Sequence, residues 1–87
     1  MTTELNIVYF AWVRERLGRD EEVVHLPDTV TTIGQLVTHL QSLGTVYSEI
    51  FEDVGKLRFA LDQEFVSLDH CLQGAKELAI FPPVTGG

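Results

Sequence analysis

Eighty-seven residues, 45% of them hydrophobic and 22% charged, describe one small globular domain and leave no room for a second. Thirteen acidic against six basic residues give a net charge of −7, which disfavours nucleic acid and favours a basic partner. No apolar run approaches the roughly 18 residues needed to cross a bilayer, so no membrane association is expected.

The N-terminus lacks a basic segment followed by an apolar one, and a single cysteine, Cys71, allows no internal disulfide and no cysteine-cluster metal site. Both features make the cytoplasm the expected location.

Residues 5–10 (LNIVYF) are rich in β-branched and aromatic side chains and read as a strand. Residues 11–17 contain good helix formers before Gly18 and fit a helix of a turn or two. Residues 22–26 read as a second strand closed by Pro27 and Asp28, pairing with the first as a loose hairpin.

The spacing of Ile33, Leu36, Val37, Leu40 and Leu43 predicts the main helix, with these five on one face. Thr32 and Gln35 have capping-box spacing at its start, and Gly44 supplies a stop. A short turn is expected at 47–51. Strands at 57–61 and 65–68 follow, joined by a tight turn through Asp62, Gln63 and Glu64, then a loop at 69–74 and a last strand at 77–81. Gly34, inside the helix, suggests close packing on the sheet.

One main helix and four or five strands make an α+β domain in which the helix covers one sheet face. Alternation sends Leu5, Ile7 and Tyr9 one way and Val8 and Phe10 the other, and likewise splits Leu78 and Ile80 from Ala79 and Phe81. If the first set packs under the helix, then Val8, Phe10, Ala79 and Phe81 form an apolar patch on the opposite face. Such a patch marks a protein interface unless short helices or loops cover it.

The domain reads as residues 1–81, followed by an extended, flexible tail at 82–87, PPVTGG. Pro82 and Pro83 lack backbone N–H groups and fix φ, so they end sheet pairing and hold the chain extended. Six residues at roughly 3.3 Å each reach about 20 Å, enough to enter a pocket on another protein. Gly86 and Gly87 have no Cβ, so the backbone and terminal carboxylate could pass a channel too narrow for any other residue. A glycine-rich end can also simply fray.

The segments IVYFAWVRERLG at 7–18 and LDQEFVSLDHCLQGAKELAIFPPVTGG at 61–87, with the helix between them, resemble the small subunit of molybdopterin synthase. This is the MoaD-type sulfur carrier, with a ubiquitin-like β-grasp fold. The likeness spans nearly the whole chain, and the ending FPPVTGG, preceded by V-S-x-D-H, is more specific to that subunit than to β-grasp proteins at large. The family often has asparagine where this chain has Asp62, a change that turn geometry tolerates. Residues 44–56 match it only loosely.

The resemblance implies that the Gly87 carboxylate is the reacting group. A MoeB-like ATP-dependent activating enzyme would join it to AMP in a transient acyl-adenylate, and a sulfur donor would then replace AMP to leave a thiocarboxylate. The tail, Pro82, Pro83, Val84, Thr85, Gly86 and Gly87, would insert into a MoaE-like large subunit, in a heterotetramer, to supply sulfur for the molybdopterin dithiolene. By the same comparison Phe10, Arg14 and Phe81 match positions that contact these partners. No stably bound cofactor and no metal are implied, and the chain would be a non-catalytic carrier. Three competing roles are a carrier for another product, such as the thiazole-forming type that Phe81-Pro82-Pro83 disfavours, a ubiquitin-like modifier of lysines, and an interaction module with an inert tail.

His25, His39 and His70 share no metal-ligand spacing and read as structural or surface residues. Asp69-His70-Cys71 contains a nucleophile and a base, but neighbours in sequence seldom aim at one another. Cys71 reads instead as a partly buried apolar residue.

Overall fold

A computed structural model describes residues 3–72 and 74–83. Among these residues five strands, β1 (Thr3–Tyr9), β2 (Glu21–Leu26), β3 (Arg58–Leu61), β4 (Glu64–Val66) and β5 (Glu77–Phe81), form one sheet in the order β2-β1-β5-β3-β4. β1 and β5 lie parallel at the centre, and every other pairing is antiparallel. Three helices, α1 (Ala11–Leu17), α2 (Ile33–Gln41) and α3 (Thr45–Ile50), and a 3₁₀ turn at Val54–Lys56 complete a β-grasp α+β fold.

Period-two alternation decides which side of each strand is buried. Leu5, Ile7 and Tyr9 of β1, Val24 and Leu26 of β2, Phe59 and Leu61 of β3, and Leu78 and Ile80 of β5 all enter one core. Ile33, Leu36, Val37 and Leu40 of α2 close it from the helix side, each such side chain contributing roughly 1.5–3 kcal/mol. The predicted capping box is present: Gln35 N donates to Thr32 Oγ1 at 3.2 Å and Thr32 N donates to Gln35 Oε1 at 3.2 Å.

Several boundaries differ from the sequence reading. β1 ends at Tyr9, and Phe10 is the N-cap of α1. α2 ends at Gln41 with Ser42 as its cap, so Leu43 lies outside the core with 48% exposure, and Gly44 opens α3 instead of stopping α2. Glu64 belongs to β4, which stops at Val66, because only Asp62 and Gln63 are needed for the turn, at φ 47° and 75°.

Gly34 packs against the loop after β4: its N–H donates to Leu68 O at 2.7 Å, and a Cβ would meet that oxygen at 3.3 Å. The loop then pairs with the entry to α2 through Ile33 N to His70 O and Leu72 N to Thr31 O. This pairing holds Cys71 at the surface, exposed where partial burial was expected.

Asp62 does more than turn the hairpin. Its Oδ1 accepts from Lys76 N and Glu77 N, both at 3.0 Å, and its own N–H donates to Glu77 O at 2.9 Å. The β3–β4 hairpin is thereby tied to the start of the tail-bearing strand. Asp62→Ala should lower urea-unfolding stability by about 1–2 kcal/mol, while Asp62→Asn, which keeps an acceptor, should cost less. Equal losses for both variants would contradict this role.

Candidate functional site

The sheet face turned away from α2 is the candidate site. Val8 of β1 is in register with Ala79 of β5, Ala79 with Ala60 of β3, and Ala60 with Phe65 of β4. These four side chains form one apolar row across four strands. Val8, Ala79 and Ala60 are half-buried, whereas Phe65 is 78% exposed.

Phe81, opposite Arg58 in the β5–β3 register, joins this row to the chain exit. Its ring stands edge-on to Phe10, with centroids 6.5 Å apart, and tilted to Phe65 at 5.8 Å. Such ring pairs add about 0.5–1.5 kcal/mol beyond the area they bury. The Arg58 guanidinium is occupied by Gly55 O and Leu57 O, at 3.1 and 2.8 Å.

Phe10 reaches this cluster by a backbone device. Its N–H donates to Ile80 O at 3.1 Å, which extends the central parallel ladder one step past β1. Ala11 then takes φ 55°, a left-handed conformation costly for any residue with a Cβ, and turns the chain into α1. Phe10 stays 45% exposed at the corner. Arg14, one turn along α1, is also exposed, and its Nε lies 3.8 Å from Asp20 Oδ1.

Phe10 and Phe81 are thus brought together, with Phe65 as a third member that the sequence reading did not single out. The signal was available: alternation within β4 turns Val66 inward and Phe65 outward. Pro82 and Pro83 follow Phe81 directly and are half-buried. Val84, Thr85, Gly86 and Gly87 lie outside the described residues. Asp69, His70 and Cys71 form no triad: Asp69 is hydrogen-bonded by Ser67 Oγ, which draws its pKa down, and all three are exposed.

A second polar feature, also unforeseen, sits at the end of β1. Glu22 Oε2 accepts from Tyr9 OH at 2.6 Å and Tyr47 OH at 2.8 Å, while Arg19 Nη1 meets Oε1 at 2.9 Å. β1, β2 and α3 are clamped by one carboxylate, immediately before Phe10. Burial, then the hydrogen bond to Glu22, raises the pKa of both phenols.

Compared with known proteins, the sequence matches the ThiS family over residues 7–87. The chain belongs to the ThiS family. Among its relatives, the molybdopterin synthase sulfur carrier subunit of Escherichia coli (strain K12) is 37% identical over 83 residues, covering 95% of this chain and 99% of that protein. The subunit of the same name from Haemophilus influenzae is 36% identical with the same coverage. A putative molybdopterin converting factor, subunit 1, from Pyrococcus furiosus shares the fold at a TM-score of 0.75 and 24% identity, over 94% of this chain and 99% of that one. SAMP1 from Haloferax volcanii also reaches 0.75, at 27% identity, over 98% of this chain and all of the other.

The Glu22 clamp makes an alkaline prediction. Each phenol keeps its proton in the folded state above its ordinary pKa near 10, whereas the unfolded chain releases it there, so the unfolded state binds fewer protons and stability falls as pH rises past about 10. Urea-unfolding free energy should therefore drop between pH 9 and about 11, and the drop should shrink in Tyr9→Phe. An unchanged slope in Tyr9→Phe would show that Tyr9 is not part of that titration.

Proposed function

We propose that this chain is the sulfur carrier subunit of a molybdopterin synthase and that the Gly87 carboxylate carries the sulfur. The observation that carries the reading is the aromatic trio on the open face, exposed Phe10 and Phe65 against half-buried Phe81, at the root of a tail that ends in PPVTGG. Near-full-length identity of 36–37% to two sulfur carrier subunits supports it.

A carboxylate is a poor electrophile. An ATP-dependent, MoeB-like activating enzyme would join it to the α-phosphorus of ATP, with pyrophosphate leaving. A donor delivering sulfur at the sulfide level then attacks the acyl carbon, and AMP departs with the C–O bonding pair. The resulting thiocarboxylate enters a MoaE-like large subunit in a heterotetramer and gives its sulfur to the pterin precursor. ATP is consumed by the activating enzyme and is not retained here.

In this reading the carrier would supply no acid or base of its own. The apolar row and the three rings would dock the partners, with Arg14 at the edge, and Pro82 to Gly87 would reach the reaction centre. The cytoplasm is the compartment of this reading, and the exposed thiol of Cys71 suits its reducing conditions. The likeness to SAMP1 of Haloferax volcanii, a small archaeal modifier protein, is consistent with a second reading, in which an amine captures the acyl-adenylate and the chain modifies proteins.

Two experiments test the carrier reading. One extra residue after Gly87 should abolish molybdopterin formation in a reconstituted synthase without changing the melting temperature, and retained synthesis would sink the proposal. Phe65→Ala and Phe81→Ala should each weaken binding to the large subunit by more than about 1 kcal/mol, roughly fivefold in Kd. Undiminished affinity in both variants would remove this face from the docking surface.

A further inference from the structure

Beyond Phe81 the chain has left the sheet, yet Pro82 and Pro83 remain half-buried. They line an open groove of about 860 Å³ whose other walls include Trp12 and Arg16 of α1 and Ile50 and Lys56 from the α3 side. Ile50 is fully in the core, and Trp12 is half-buried against it. An exposed ion pair between Arg16 Nη2 and Glu49 Oε2, at 2.9 Å, bridges α1 and α3 along the groove.

Consecutive prolines pre-form an extended, low-entropy helix without internal hydrogen bonds, and such segments are recognised by grooves lined with aromatic rings. Here the segment and the aromatic ring belong to one chain. We propose that Trp12 is a positioning residue for the tail: its indole, in the groove between α1 and α3, seats Pro82 and Pro83 and sets the direction in which the last four residues leave the domain.

The proposal rests on the carrier reading and extends it. A tail pivoting freely at Phe81 would sweep a wide volume before finding a partner's channel. Holding the chain through Pro83 removes the freedom of the first two tail residues before a partner is met, and that saving appears in the rate of the reaction at Gly87. The same helix is capped by Phe10 and carries Arg14, so one element links the edge of the docking face to the seat of the prolines.

Trp12 is the single tryptophan of the chain, so its fluorescence reports the seat in the isolated, full-length protein with no partner present. Replacing both Pro82 and Pro83 by glycine should shift its emission to longer wavelength and raise acrylamide quenching. Replacing Val84 and Thr85 by glycine, beyond the seat, should change neither. Identical emission and quenching in all three proteins would overturn the proposal.

Activity gives a second readout. With an ATP-dependent activating enzyme and a sulfur donor, Trp12→Ala should lower kcat for thiocarboxylate formation by roughly 10- to 100-fold with little change in KM for the carrier. Trp12→Phe should recover most of that loss. A rise in KM alone would assign Trp12 to partner binding and overturn the positioning role. Failure of the carrier reading itself would be distinct, since the wild-type protein would then form no thiocarboxylate while the fluorescence result stood on its own.

Discussion

Side chains of a β-strand alternate between two faces, and in this domain the central strands carry apolar residues on both. The helices cover one face, where Leu5, Ile7, Leu78 and Ile80 meet the stripe of α2. The other keeps Val8, Ala60, Ala79, Phe65 and Phe81 in contact with water. Leaving such a row exposed costs solubility, which the net charge of −7 helps to offset. Phe10 and the chain exit at Phe81 border this row.

Several devices hold the row and the chain exit in one frame. Asp62 ties the β3–β4 hairpin, and with it Phe65, to the start of β5. The Glu22 clamp joins the end of β1 to β2 and α3, and Ala11, in its left-handed turn, puts Phe10 on the corner beside Phe81. The polar contacts therefore do two things at once: they stabilise a small core, and they fix three aromatic rings relative to the strand from which the tail departs. Charge plays the smaller part, because Arg14 and Asp20 are both more than half exposed and their attraction is screened.

Much of this was legible in the sequence where local rules suffice. Alternation in β1 and β5 assigned Phe10 and Phe81 to the open face, and the spacing of α2 and its capping box located the helix. Leu43 was misassigned because helical periodicity says nothing about where a helix stops. Ser42 caps α2, and the next residue follows the path of the chain toward α3. The Glu22 clamp was invisible for another reason: its members are drawn together from positions 9, 19, 22 and 47 by pairing between distant elements. Phe65 lay between these cases, since its outward direction follows from alternation but its place beside Phe81 depends on the order of the strands.

The central claim is that the open face exists to deliver a reactive C-terminus. The most direct measurement is the intact mass of the protein before and after incubation with ATP, a MoeB-like activating enzyme and a sulfur donor. A mass change equal to one sulfur in place of one oxygen, absent when Gly87 is deleted, is the expected result. An unchanged mass in the presence of competent enzymes, or conjugation to lysines in its place, would contradict the claim that this chain carries sulfur.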